Sequence, residues 1–122
     1  MTIRGVRGAA VAGDDCPESI LGATRDLLIS IREKNPSLKI EDIASILFTL
    51  SEDLQSAYPA EAARALGWLD VPMICAREIP VPGSLPRCIR VLLHWNTDLP
   101  QQEIHHVYHG EAALLRPDWL SL

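Results

Sequence analysis

The sequence predicts an α+β fold, a mixed β-sheet packed against one long helix and a second, short helix. Three observations predict it. Only the stretch "DDCPESILGATRDLLISIREKNP" at 14–36 keeps a helical period over several turns. The stretch "RCIRVLLHWN" at 87–96 alternates as a strand does, with Ile89, Val91, Leu93 and Trp95 on one wholly apolar face. Prolines and glycines divide the rest into segments of strand or short-helix length.

In chain order, "TIRGVRGAAVAG" is partly β-branched and punctuated by glycine, so it reads as an opening strand in which Gly5 and Gly8 permit close backbone approach. The long helix follows. Ile20, Leu21, Thr24, Leu27, Leu28 and Ile31 form its apolar stripe, Pro17 suits its first position, and Asp15 or Cys16 would cap it. Asn35-Pro36 ends it, because the residue before a proline is pushed out of the helical region. Ile43–Leu50 is an apolar run of strand length. "SAYPAEAARALGW" is alanine-rich, with Pro59 near its start and Gly67 near its end, which marks a short helix. "VPMICARE" is a strand, "IPVPGSLPR" a proline-rich loop, and "CIRVLLHWNT" the clearest strand of the chain. "DLPQQEI" is a turn with room for one helical turn. "HHVYHG" is a short strand, and "EAALLRPDWLSL" a brief element broken at Pro117. The order β-α-β-α-β-β-β places a helix over one face of a sheet. The other face then needs cover, for which oligomerisation is the common remedy.

The chain has 122 residues, which predicts a single domain over 1–122 with one modest core. A formal net charge of -5 disfavours nucleic acid and anionic membrane as partners. A small anionic ligand remains compatible, because clustered arginines can override the global field locally. Nine of the eleven basic residues are arginine, the side chain suited to bidentate carboxylate recognition; a codon bias would give the same composition. Three cysteines with no C-x-x-C spacing fit reduced thiols and a cytoplasmic location. No secretory leader is expected from "MTIRGVRGAAVAGDD", and no run approaches the roughly 20 apolar residues of a membrane span.

Several side chains could carry chemistry. "HHVYH" invites a metal reading, with His105 and His109 at i, i+4. On a strand, however, those two lie about 13 Å apart, and no acidic or cysteine ligand has a familiar spacing. Surface or interface histidines are the simpler reading, and no metal is expected. Cys75 could be a nucleophile, but "MICARE" supplies no histidine to activate it, so a buried structural thiol is favoured. Arg90 interrupts the second face of its strand, among Cys88, Leu92 and His94. Arg7 lies in the glycine-flanked opening strand. The two could converge on a carboxylate, or both could be solvated on edge strands. Glu78, at a strand end, is either solvated or a partner for a buried arginine. Arg87 and His94 suggest no functional role.

"IRGVRGA", "YPAEAAR", "CAREIPVPGSLPRCIRVL" and "HVY…LLRPD", in this order and spacing, closely resemble the monofunctional chorismate mutases of the trimeric pseudo-α/β-barrel class. The resemblance runs from Ile3 to about Asp118. It implies a cofactor-free isomerase that converts chorismate to prephenate on the route to phenylalanine and tyrosine. It also implies a homotrimer with active sites between subunits. Carried over by position, Arg90 would face the breaking ether bond. Glu78 would accept a hydrogen bond from the ring hydroxyl and hold Arg90. Arg7 would bind a substrate carboxylate, Cys75 would lie near the ring hydroxyl, and Tyr108 would lie at the side-chain carboxylate. Tyr58, Ala60 and Arg64 would come from the neighbouring subunit, and Leu115 and Arg116 would cover the mouth. Two positions depart from some members of the family, Glu61 where they carry lysine and Tyr58 where they carry phenylalanine. Two other readings fit the same architecture. One is a non-catalytic trimer that binds an aromatic-pathway acid. The other is a small trimeric deaminase, which would want a different polar set and lacks the "PGSLPRCIRV" match.

Overall fold

The computed structural model describes residues 2–115. Five strands form one mixed sheet in the order β3-β2-β4-β1-β5. They are β1 (Ile3–Val11), β2 (Ile43–Leu50), β3 (Met73–Arg77), β4 (Cys88–Asn96) and β5 (Val107–Tyr108). Two α-helices, α1 (Pro17–Lys34) and α2 (Ala60–Ala65), cover one face. Short 3₁₀ turns occupy Ile40–Asp42, Gln101–Glu103 and Gly110–Leu115. The predicted order of elements therefore stands, and β4 is the central strand. "HHVYHG" contributes only the two residues of β5, shorter than predicted.

Helix α1 begins at Pro17 with Cys16 as the extended capping residue, and ends at Asn35. Asp15, the other candidate cap, is used elsewhere: its carboxylate accepts the backbone N–H groups of Gln55 and Ser56. Ile20, Thr24, Leu27, Leu28 and Ile31 are buried as the stripe predicts. Leu21 is only half-buried, because it lies one residue, about 100°, around the helix from Ile20. The buried Thr24 hydroxyl donates to the Ile20 carbonyl, which satisfies the one polar group in the stripe. Gly8 is where β1 meets α1. A Cβ there would stand 3.0 Å from Ile31 Cδ1 and from Val91 Cγ1. At Gly5 the nearest atom would be 3.4 Å away, an ordinary contact, so the close approach needs glycine at one of the two positions.

The dry face of the sheet carries Val6, Ala10, Ile46, Phe48, Val91, Leu93 and Trp95, all packed under the helices. Each such aliphatic or aromatic side chain contributes roughly 1.5–3 kcal/mol by leaving water. The opposite face is different. Antiparallel partners share a face, so Arg90 aligns with Ala9 and Thr49, and Leu92 with Arg7 and Leu47. Apart from buried Cys88 and Ala9, this face is half-exposed or exposed on β1, β2 and β4, and Ile74 on β3 is 65% exposed.

Candidate active site

Arg7 and Arg90 stand on the uncovered face as diagonal neighbours, since Arg7 opposes Leu92 and Arg90 lies two residues before it. Neither strand is an edge, which removes the reading of two solvated edge arginines. Both guanidinium groups line one cavity of about 170 Å³ with Leu47, Thr49, Glu78 and Leu92. Glu78 follows β3, and its N–H donates to the Leu50 carbonyl at 2.9 Å, which holds it against the end of β2. Its Oε2 lies 3.5 Å from Arg90 Nε and accepts a hydrogen bond from the Thr49 hydroxyl.

The Arg90 Nε atom is buried, yet among the described residues no acceptor meets it in hydrogen-bond geometry. A guanidinium whose nearest anion stands 3.5 Å away, outside hydrogen-bond geometry, keeps donor capacity for an incoming oxygen. Tyr108 shares this face through its pairing with Ala9, and its ring centroid lies 6.0 Å from the Arg7 guanidinium carbon, at the outer limit of a cation–π contact. Leu115 packs at the margin of the cluster formed by Ala9, Cys88, Tyr108 and Ala112. Arg116 and Pro117 lie outside the described residues. Burial raises the Cys88 thiol pKa, although Arg90 pulls it the other way, so this thiol stays protonated and unreactive.

The remaining candidates gather elsewhere. Cys75 pairs with Phe48, so it lies on the helix-covered side, half-buried and not fully buried. A second cavity, of about 470 Å³, includes Cys75, Tyr58, Glu61 and Arg77 in its lining. Tyr58 is 67% exposed. On α2, Ala60 is buried and Arg64 exposed. Arg77 braces this region by donating from Nη1 to the Ser51 and Leu54 carbonyls at 2.8 and 2.7 Å. Within one chain, then, Arg7, Arg90, Glu78 and Tyr108 form one group, and Tyr58, Ala60, Arg64 and Cys75 belong to another region.

Thr49 was not singled out in the sequence. The signal was present: Ser45, Leu47 and Thr49 alternate with Ile46, Phe48 and Leu50, a period hidden when 43–50 is read as one apolar run. Arg87 proves structural. It holds φ +50, its N–H donates to both Asp53 carboxylate oxygens at 3.1 and 2.9 Å, and its Nε donates to the Ala12 carbonyl. His94 is paired with Ser45 on the uncovered face, at 3.0 Å. The histidines of 105–109 also differ from expectation. The His105 side chain is exposed, but His106 and His109 turn inward to hydrogen-bond partners on β1 and α1.

The chain is thus an α+β protein, a mixed sheet backed by one long helix with an arginine–glutamate pair on its open face, and comparison with known proteins specifies the family. The family model for chorismate mutase type I matches residues 3–119. The chain is 55% identical over 116 residues to chorismate mutase AroH of Thermus thermophilus, covering 95% of each protein. It is 46% identical over 123 residues to the Bacillus subtilis AroH, covering all of this chain and 95% of that one. The solved chorismate mutase from Clostridium thermocellum superposes with a TM-score of 0.87 at 44% identity, covering 90% of this chain and 97% of that one. The chain belongs to the chorismate mutase type I family.

Proposed function

We infer that this protein is a chorismate mutase, and that it rearranges chorismate to prephenate with its own side chains. The observation that carries the reading is the Arg90 guanidinium. It is set in a cavity with Glu78, whose Oε2 lies 3.5 Å from Nε without completing a hydrogen bond, and Arg7 stands on the same face.

The reaction is an isomerisation. The bond between the ring and the ether oxygen breaks, and a carbon–carbon bond forms between the ring and the far end of the enolpyruvyl group. No atom enters or leaves. Bond breaking runs ahead of bond making, so negative charge grows on the ether oxygen. A cation fixed where that charge develops favours the transition state over the ground state. Arg90 has this role. Glu78, held by Thr49 and facing Arg90, accepts the hydrogen bond of the ring hydroxyl and keeps the guanidinium oriented. Arg7 binds a carboxylate of the substrate, and Tyr108 lies beside it. Holding the flexible enolpyruvyl arm over the ring supplies the orientation part of the rate.

The cavity around Arg90 is about 170 Å³, small against the roughly 300–1,000 Å³ of sites that bury a ligand. Further walls are needed, and Tyr58, Ala60 and Arg64 do not line this cavity within one chain. A homotrimer, with the uncovered sheet faces turned inward as a pseudo-α/β barrel, brings that second group from a neighbouring copy. It also covers the exposed Ile74 and the half-exposed Leu47 and Leu92. Leu115 and Arg116 would then lie over the mouth. No helix among the described residues is long and apolar enough to cross a membrane, and a cytoplasmic setting fits an enzyme of amino-acid biosynthesis. The test is direct. Purified protein is mixed with chorismate, without added metal or cofactor, and chorismate loss is followed by absorbance. Loss no faster than the uncatalysed reaction at any protein concentration would overturn the reading.

A further inference from the structure

The segment 105–109 is fastened at four points. Asn35, buried at the end of α1, grips the His105 backbone from both sides: its Nδ2 donates to the His105 carbonyl at 2.9 Å, and its Oδ1 accepts the His105 N–H at 3.0 Å. One residue later, His106 Nδ1 accepts the backbone N–H of Arg7 at 3.0 Å. Val107 and Tyr108 then pair with Gly8 and Ala9, the His109 N–H donates to the Ala9 carbonyl at 2.9 Å, and His109 Nε2 lies 3.1 Å from Ser30 Oγ.

We propose that His106 is the positioning residue for Arg7, its imidazole nitrogen standing in for the strand carbonyl that the two-residue β5 is too short to supply. The inference rests on the reading of Arg7 as a carboxylate-binding residue. Its physical basis is the ladder itself. A parallel strand fixes its neighbour by backbone bonds at regular intervals, and β5 covers only Gly8 and Ala9. Arg7, one residue outside that register, has its N–H directed to a side chain. To accept it, the imidazole must carry a lone pair on Nδ1, which places the proton of the neutral ring on Nε2. The same ring precedes Tyr108 by two residues, and Tyr108 faces the Arg7 guanidinium. This hydrogen bond thus adds a tie between the two groups at the carboxylate end of the site, beside the pairing of Ala9 with Tyr108.

Two variants separate this role from mere packing. Asparagine can place Oδ1, three bonds from Cα, where Nδ1 of histidine lies; leucine fills similar space with no acceptor. His106→Leu should raise KM for chorismate about tenfold, the effect of one lost hydrogen bond, with kcat changed less than about threefold. His106→Asn should restore KM to within about threefold of the parent. A leucine variant with normal KM, or an asparagine variant as impaired as leucine, overturns the proposal. So does an effect on kcat alone. A measurement on the unaltered protein stands apart from activity and from the folding of the variants. In ¹⁵N-histidine-labelled protein at neutral pH, His106 should give the signature of an unprotonated Nδ1, coupled across the hydrogen bond to the Arg7 amide. A protonated Nδ1 overturns the proposal. If instead the unaltered protein fails to turn over chorismate while this signature is present, the reading of function fails and the positioning contact stands.

Discussion

Replacing Arg90 by alanine removes one of the two arginines from the uncovered face while leaving the Thr49–Glu78 hydrogen bond in place. Arg90 Nε and Glu78 Oε2 are 3.5 Å apart, with side chains 30% and 28% exposed. At an effective dielectric constant of about 20, that separation corresponds to a gross attraction of roughly 5 kcal/mol. Solvent screening and the desolvation of both groups reduce the net contribution to stability to about 1 kcal/mol or less. Arg90→Ala should therefore lower Tm by only a few degrees. The effect on rate is of another size. A preorganised donor at a developing oxyanion is worth about two to three powers of ten in kcat, and this donor also carries a full charge. A fall of about three powers of ten or more is expected. Steady-state kinetics with chorismate, beside thermal melting, measures both quantities. A folded alanine variant with kcat within about tenfold of the parent would falsify the role given to Arg90.

Thr49→Val keeps the shape of the side chain and removes the donor to Glu78; kcat/KM should fall up to about tenfold, whereas Thr49→Ser should stay near the parent, and equal rates for all three proteins would show that Thr49 does not orient Glu78. Gly8→Ala places a methyl group 3.0 Å from Ile31 Cδ1 and Val91 Cγ1, so stability should fall by about 1–3 kcal/mol, read as a lower midpoint in urea; an unchanged midpoint would mean that α1 can move away from β1 without loss. The Asp53 carboxyl is held below its ordinary 3.8, first by the Ser51 hydroxyl and then by the Arg87 N–H and charge. A depressed carboxyl stabilises the fold above 3.8, and this contribution is lost as pH falls through 3.8 and on toward the folded-state value. Asp53→Asn should therefore show a smaller drop in Tm between pH 6 and pH 3 than the parent, and parallel acid limbs would contradict the linkage.

Elements whose period is unbroken were legible from sequence alone. Helix α1 and strand β4 appear where their stripes place them, and Pro59 and Gly67 bracket α2 as start and stop signals do. What escaped depends on neighbours that are distant in sequence. Thr49 acquires meaning only when β2 lies beside β4 and brings it against Glu78. His106 faces Arg7, 99 residues away, and nothing in "HHVYH" indicates which ring nitrogen would accept a backbone proton. Cys75 shows a third kind of limit. Its neighbourhood is decided by which face of β3 it occupies, and the five-residue strand has too little alternation to reveal that. Motif resemblance picked out Arg7, Glu78, Arg90 and Tyr108 from distant parts of the chain; the sheet register puts Arg7, Arg90 and Tyr108 on the uncovered face, and Glu78 meets them there through its 3.5 Å contact with Arg90.

The separation of Arg90 and Arg64 into different regions of one chain has a genetic consequence. If each site joins the sheet face of one subunit to the α2 region of the next, a chain with a defective face still carries a sound α2 region, and the converse holds for a chain defective at Arg64. Two alleles, each inactive alone, could then complement one another when co-expressed. Random assembly of the two kinds of subunit in equal amounts would leave roughly a quarter of the interfaces with both contributions intact. A heteroallelic strain would grow where neither parent allele supports growth, although neither polypeptide has been repaired.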